Sequence, residues 1–155
     1  MTIRVLNNKA RVLLLGIIAT GLVLVAIFFY PVNVDEKNAT SEVTDFTSLV
    51  NNLNALGATV ELTGVISQPY FSPEGKTATV NGGTIQVFEY PDTESASREA
   101  ALISPDGSSI GTTMVLWVDS PHFYKLDRLI VLYLGDNTET IGMLQALIGN
   151  QIAGR

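Results

Sequence analysis

Residues 12–30 read VLLLGIIATGLVLVAIFFY, nineteen consecutive positions without a charge. At about 1.5 Å rise per residue, a helix over this run is roughly 28 Å long, close to the hydrocarbon thickness of a bilayer. A core helix of a water-soluble fold carries a polar stripe, and this run has none; Thr20 is its only hydroxyl before Tyr30. Phe28, Phe29 and Tyr30 close the run with aromatic rings suited to interface depth, and Pro31 stops the helix. Arg4, Lys9 and Arg11 precede it without an acid, whereas Asp35, Glu36, Glu42 and Asp45 follow it against Lys37 alone. Basic flanks stay in the cytoplasm, so the remainder of the chain is expected outside. A cleaved signal peptide is the rival reading, but its apolar core is shorter and is followed closely by small residues. Here Ala39-Thr40-Ser41 stands about ten residues beyond the run. Gly16 and Thr20 have a small-xxx-small spacing that lets a second helix approach, although chance supplies such pairs often.

This divides the chain into a basic cytoplasmic N-terminus (1–11), a transmembrane helix (12–30), an acidic polar tether (31–44) and an extracytoplasmic domain (45–155). The tether, VNVDEKNATSEVT after Pro31, lacks apolar periodicity. The domain is long enough to bury a core without staples. The chain has no Cys, which removes disulfides, thiolate zinc sites, iron–sulfur clusters and thiol nucleophiles from consideration. Its single His removes any multi-His metal site within one chain. A net charge of −6 argues against a nucleic-acid partner, which calls for a basic face. No cofactor is expected, and the expected partners are the lipid bilayer and one or more proteins.

Within the domain, Asp45 is placed to cap a helix whose apolar stripe is Phe46, Leu49, Val50, Leu53 and Leu56, with Gly57 ending it. Residues 58–66 alternate and predict a strand with Val60, Leu62 and Ile66 on its inner side. A Pro- and Gly-broken loop covers 68–76. Strands over 77–81 and 84–90 flank Gly82-Gly83, a hairpin signal. Asp92 or Thr93 starts a helix running to about Ile103 with Ala96 and Ala100 inward, and 104–111 is turn chemistry. A strand over 113–118, a connection over 119–128 and a strongly apolar strand over 129–134 come next. A last helix over 138–148 turns Ile141, Leu144, Leu147 and Ile148 inward, before Gly149. The order α-β-ββ-α-ββ-α predicts an α+β fold with about three helices on a mainly antiparallel sheet. Thr93-Glu94-Ser95 and Thr138-Glu139-Thr140 stand 45 residues apart, as do Ile85 and Ile130, and Phe88 and Tyr133. A duplicated ββα unit explains this echo; so do two helices with similar caps.

No catalytic constellation stands out. His122, in Pro121-His122-Phe123-Tyr124-Lys125, is the only candidate general base, and no Ser sits in a G-x-S-x-G turn beside it. Glu61 and Glu89 lie within predicted strands and could face each other for acid–base work, but Glu61 points away from Val60 and Leu62, and Glu89 has Lys125 or Arg128 to pair with. Asp106-Gly107 and Asp136-Asn137 are turn and cap chemistry without the alternating oxygen ligands of a calcium loop. The aromatic residues carry more: Tyr70, Phe71, Trp117, Phe123 and Tyr124 fall on predicted loops or strand ends, where large rings anchor partners or line a groove, or else close the ends of a small core. With His122 they form the candidate interaction surface.

Gly57-Ala58-Thr59-Val60-Glu61, Gln68-Pro69-Tyr70-Phe71, Gln86-Val87-Phe88-Glu89-Tyr90, Ser104-Pro105-Asp106-Gly107, Trp117, Pro121-His122-Phe123-Tyr124-Lys125 and Leu132-Tyr133-Leu134-Gly135 together give residues 49–154 a pattern that resembles a family of small bacterial exported domains. The resemblance implies a compartment and a shape, and no activity. A lipidated Cys, the anchor such relatives suggest, is not open to this chain, so anchoring falls to residues 12–30. The expected function is a single-pass, membrane-anchored, non-enzymatic interaction domain, an accessory subunit of a membrane complex. The alternatives are a small-ligand or lipid-binding module rimmed by Tyr70, Phe71, Phe123 and Tyr124, and a hydrolase using His122 and Glu89.

Overall fold

The computed structural model describes residues 41–155. The expected transmembrane helix, its basic flank and most of the tether lie outside the described residues. Among those described, no helix is long and apolar enough to cross a membrane.

Helix α1 (Phe46–Ala55) starts at Asp45, whose carboxylate accepts from the Ser48 N–H at 2.7 Å while Ser48 Oγ accepts from the Asp45 N–H at 3.0 Å. These reciprocal bonds satisfy two donors that a helix start leaves open. Gly57, at φ +94°, ends it, and the Ala58 N–H reaches back to the Leu53 carbonyl. The chain joins the domain before Asp45. Ser41 exchanges two hydrogen bonds with the Asn52 side chain at 2.7 and 2.8 Å, and Val43 is buried, so the last residues assigned to the tether belong to the folded body.

Strands β1 (Val60–Ile66), β2 (Gly75–Val80) and β3 (Gly83–Glu89) form a meander. The β2–β3 turn is Asn81-Gly82, one residue earlier than Gly82-Gly83, because both of its residues hold positive φ (48° and 89°), as a two-residue turn of this hand requires. Helix α2 (Thr93–Ala100) is capped by Asp92 and stops three residues short of the expected end, where Ile103 leaves to bridge Ile110. A two-residue hairpin follows, β4 (Ser109–Ile110) with β5 (Thr113–Met114). Then come β6 (Pro121–Leu126), β7 (Leu129–Leu134), α3 (Thr138–Ile148) and β8 (Ala153–Gly154).

Among the described residues the fold is α+β, with three helices around a six-stranded antiparallel sheet of order β1-β2-β3-β7-β6-β8. Helices α1 and α3 cover one face, packing Leu49, Leu53, Leu144 and Ile148 on Val80, Ile85, Val87, Tyr124, Val131 and Tyr133. The other face carries Phe88, Tyr90, Phe123, Ile130 and Leu132 under Ala96 of α2 and Phe71 of the preceding loop. All six residues of β7 are buried, as a central strand covered on both faces demands.

Residues 119–128 are not merely a connection: they contain β6, whose first four residues are buried, and whose Pro121 stands at the first strand position, where Pro is tolerated. The strand expected over 113–118 ends at Met114, leaving Leu116 and Val118 in solvent. In β1 the alternation fails at a bulge between Leu62 and Gly64, and Leu62, though on the α1 face with Val60, is 65% exposed because β1 is the outer strand of the described sheet. The 45-residue echo is shared capping, not a repeated unit: any rotation that lays hairpin β2–β3 on β6–β7 keeps the faces of the sheet, yet α2 and α3 lie on opposite faces.

Candidate functional site

The six candidate residues separate by strand parity. His122 pairs with Tyr133 and Tyr124 pairs with Val131, so both lie under α1 and α3. Phe123 points to the other face, where it joins Tyr70, Phe71 and Trp117. There the rings form a chain. Phe71 lies 4.5 Å from Phe88 and 5.3 Å from Tyr70, Tyr70 lies 5.9 Å from Trp117, and Trp117 lies 5.7 Å from Phe123, three of these contacts being edge-to-face. This is the geometry that ring quadrupoles favour. The series is buried at both ends (Phe88 and Phe71 at one, Phe123 at the other) and half-buried in its middle, at Tyr70 and Trp117.

Four of the six residues are therefore core rather than surface. His122, Phe71, Phe123 and Tyr124 are buried because β6 is an interior strand and Phe71 closes the aromatic face. The His122 ring stacks on Tyr133, and its Nδ1 shares a 2.8 Å hydrogen bond with Gln151 Oε1. Tyr124 is fully buried, and burial, with Tyr133 nearby, pushes its hydroxyl up to about 12.

Glu89 does not meet His122. Strand register aligns His122 with Tyr133 and Ile85, and Glu89 with Leu129 and Leu126, at the opposite end of the sheet. Nor does Glu89 meet Glu61, which is exposed on β1. Its partners are Phe46, whose N–H donates at 3.0 Å, Lys76 at 2.9 Å and Arg128 at 3.9 Å. Burial raises the Glu89 carboxyl, but the Phe46 N–H and the two cations outweigh it and hold it below the usual carboxylate range. Lys125 takes no part in these contacts; Lys76, from the neighbouring strand, does. Glu89 thus joins the start of α1 to the sheet. Asp106 has a similar structural role: the Ser108 N–H and the Ser104 and Ser108 hydroxyls hold it at about 2. Among the described residues, no three His, Asp or Glu side chains gather as a metal site would need.

What reaches solvent is the segment that follows β5. Trp117 is fixed by its indole N–H, which donates to the Gly107 carbonyl at 2.7 Å, and by its edge-to-face contacts. Its neighbours are thrown outward: Met114 is 83%, Leu116 97% and Val118 92% exposed. Beside it opens a groove of about 340 Å³ lined by Ile66, Tyr70, Leu116, Trp117, Val118 and Leu134 among others, none of them charged. Burial raises the Tyr70 hydroxyl above its ordinary value. A second groove, of about 410 Å³, lies where residues 43 and 44 join the domain, but its Asp92 caps α2 and its Arg128 is committed to the Tyr90 carbonyl and Glu89. The exposed aliphatic residues flanking Trp117 escaped sequence reasoning, because MVLWV reads as a strand until no neighbouring strand is found for it.

Comparison with family models, with curated proteins and with solved structures finds no match to the chain. The functional assignment rests on the chain's own residues.

Proposed function

We propose that the chain is a single-pass, membrane-anchored interaction domain without catalytic activity. Residues 12–30 hold it to a bilayer with residues 41–155 on the outer side, and an apolar segment of a partner protein docks beside Trp117. The observation that carries this assignment is the exposure of Leu116 (97%) and Val118 (92%) on either side of a pinned Trp117. Large apolar side chains grouped in this way around an aromatic anchor and an uncharged groove mark interaction sites. Scattered single residues would need no such explanation. The groove opens on the aromatic face of the sheet, and Ser41, where the chain joins the domain, is bound to α1 on the other face.

A ligand- or lipid-binding module is less well supported. Of the four rings it needs as a rim, only Tyr70 lines the groove, while Phe71, Phe123 and Tyr124 are core. A hydrolase built on His122 and Glu89 has its two groups at opposite ends of the sheet.

The test is co-purification of the full chain from native membranes in mild detergent, wild type against Leu116→Asp and Val118→Asp. Both positions are exposed, so the variants fold. Recovery of a stoichiometric protein with the wild type and its loss from both variants is the expected outcome. Equal recovery from all three, or recovery of the chain alone, defeats the proposal.

A further inference from the structure

Resting on the docking proposed at Trp117, we infer that the groove beside it takes an extended, uncharged segment of the partner protein, and that Gln68 and Gln86 read the main-chain amides of that segment. Gln86 stands in β3 between Thr77 of β2 and Leu132 of β7 and is only 5% exposed. A polar side chain buried in a sheet calls for an explanation that an exposed one does not. Its Oε1 accepts from Gln68 Nε2 at 3.0 Å, and both residues line the groove. Two facing carboxamides can exchange two hydrogen bonds; these two exchange one. Among the described residues neither side chain has another partner, so the Gln86 Nε2 donors and the Gln68 Oε1 acceptor are left to whatever fills the groove.

An extended peptide supplies what these amides lack. In an extended chain each residue turns its own N–H and C=O to the same side, which is how two strands exchange both bonds. One residue of a bound segment therefore offers Gln86 a carbonyl and Gln68 an N–H. The far wall of the groove offers main-chain groups of its own. The ladder ends where the Val115 N–H donates to the Ser108 carbonyl at 2.9 Å, and among the described residues no main-chain hydrogen bond is made by Leu116, Trp117 or Val118. No charged side chain lines the groove, so a charged segment would lose its hydration without gaining a counter-ion, and an uncharged one loses nothing of the kind. Other occupants fail at the amides. The apolar face of a helix has its N–H and C=O groups bonded internally, and an acyl chain has none. Either would displace solvent from Gln68 and Gln86 without replacing its hydrogen bonds, which weakens binding.

The test compares full-length wild type with Gln86→Leu, Gln68→Leu and Leu116→Asp. Each chain is captured from native membranes in mild detergent, and release of the co-purified protein is followed during washing. Leu keeps close to the volume of Gln and removes the amide. Urea unfolding read by the fluorescence of Trp117 verifies that each variant is folded, and Gln68, half-buried on a loop, supplies a variant that leaves the sheet untouched. The partner should leave both Gln variants about tenfold faster than it leaves the wild type, the effect of one amide bond not replaced. Release from both that is as slow as from the wild type, or slower, overturns the inference and points to a helix face or an acyl chain. If the partner is lost from Leu116→Asp in that case, the docking at Trp117 stands without it. A wild type that retains no protein overturns the docking and the inference together.

Discussion

Replacing Glu89 with Gln separates the structural role assigned to this residue from a catalytic one. Gln keeps an oxygen for the Phe46 N–H, now 3.0 Å from the carboxylate, and loses the charge. A hydrogen bond to a charged acceptor contributes about 1 kcal/mol more than one to a neutral acceptor. The attraction of a carboxylate to a helix N-terminus, about 0.3–1 kcal/mol, is largely the same interaction and is not added again. Lys76 is 47% exposed, so its ion pair with Glu89 is screened and adds a few tenths at most. The expected loss is about 1–1.5 kcal/mol. Because the folded-state carboxyl is held below its ordinary value, this stability is fully present above the unfolded value and is lost as pH falls through the folded one. Urea unfolding followed by the fluorescence of Trp117, the only Trp, measures both effects. The gap between wild type and Glu89→Gln should be open near neutral pH and closed in acid below the folded value. No gap at neutral pH, or a gap of the same size in acid, refutes the reasoning.

Further outcomes follow from the core and from the proposed topology. A Cβ at Gly83 falls inside van der Waals contact of the Tyr133 ring, which is hemmed in again at Gly135, so Gly83→Ala should cost about 1–3 kcal/mol in urea unfolding. Among the described residues the Tyr133 hydroxyl is buried without a partner, so Tyr133→Phe should leave stability unchanged or raise it by about 1 kcal/mol; a loss of that size would show that the hydroxyl is satisfied. A reporter active only outside the cytoplasm, fused after Arg155, should be active, and activity confined to a cytoplasmic reporter contradicts the proposed orientation.

The helices were legible because their ends are written in local chemistry: Asp45, Asp92 and Asn137 cap, and Gly57 and Gly149 stop. Strand β7 was legible because a central strand is apolar throughout. β6 was not, since PHFYKL mixes Pro, His and Lys with aromatic residues, and its burial comes from an interior place in the sheet with both faces covered. The β1 pattern misled because one bulge moves Val65 onto the face of Leu62. As for the site, Tyr70 and Trp117 could each be named from the sequence, but their 5.9 Å contact joins two segments that only the tertiary fold brings together. Burial of His122, Phe123 and Tyr124 followed from the strand that was missed.

In the proposed function the exposed residues beside Trp117 touch a partner. A photo-crosslinking amino acid placed at Leu116, and at Gln145 as an exposed control on α3, tests it in native membranes. One defined adduct from position 116 and none from position 145 is the predicted result. No adduct at 116, or the same adducts from both positions, contradicts it.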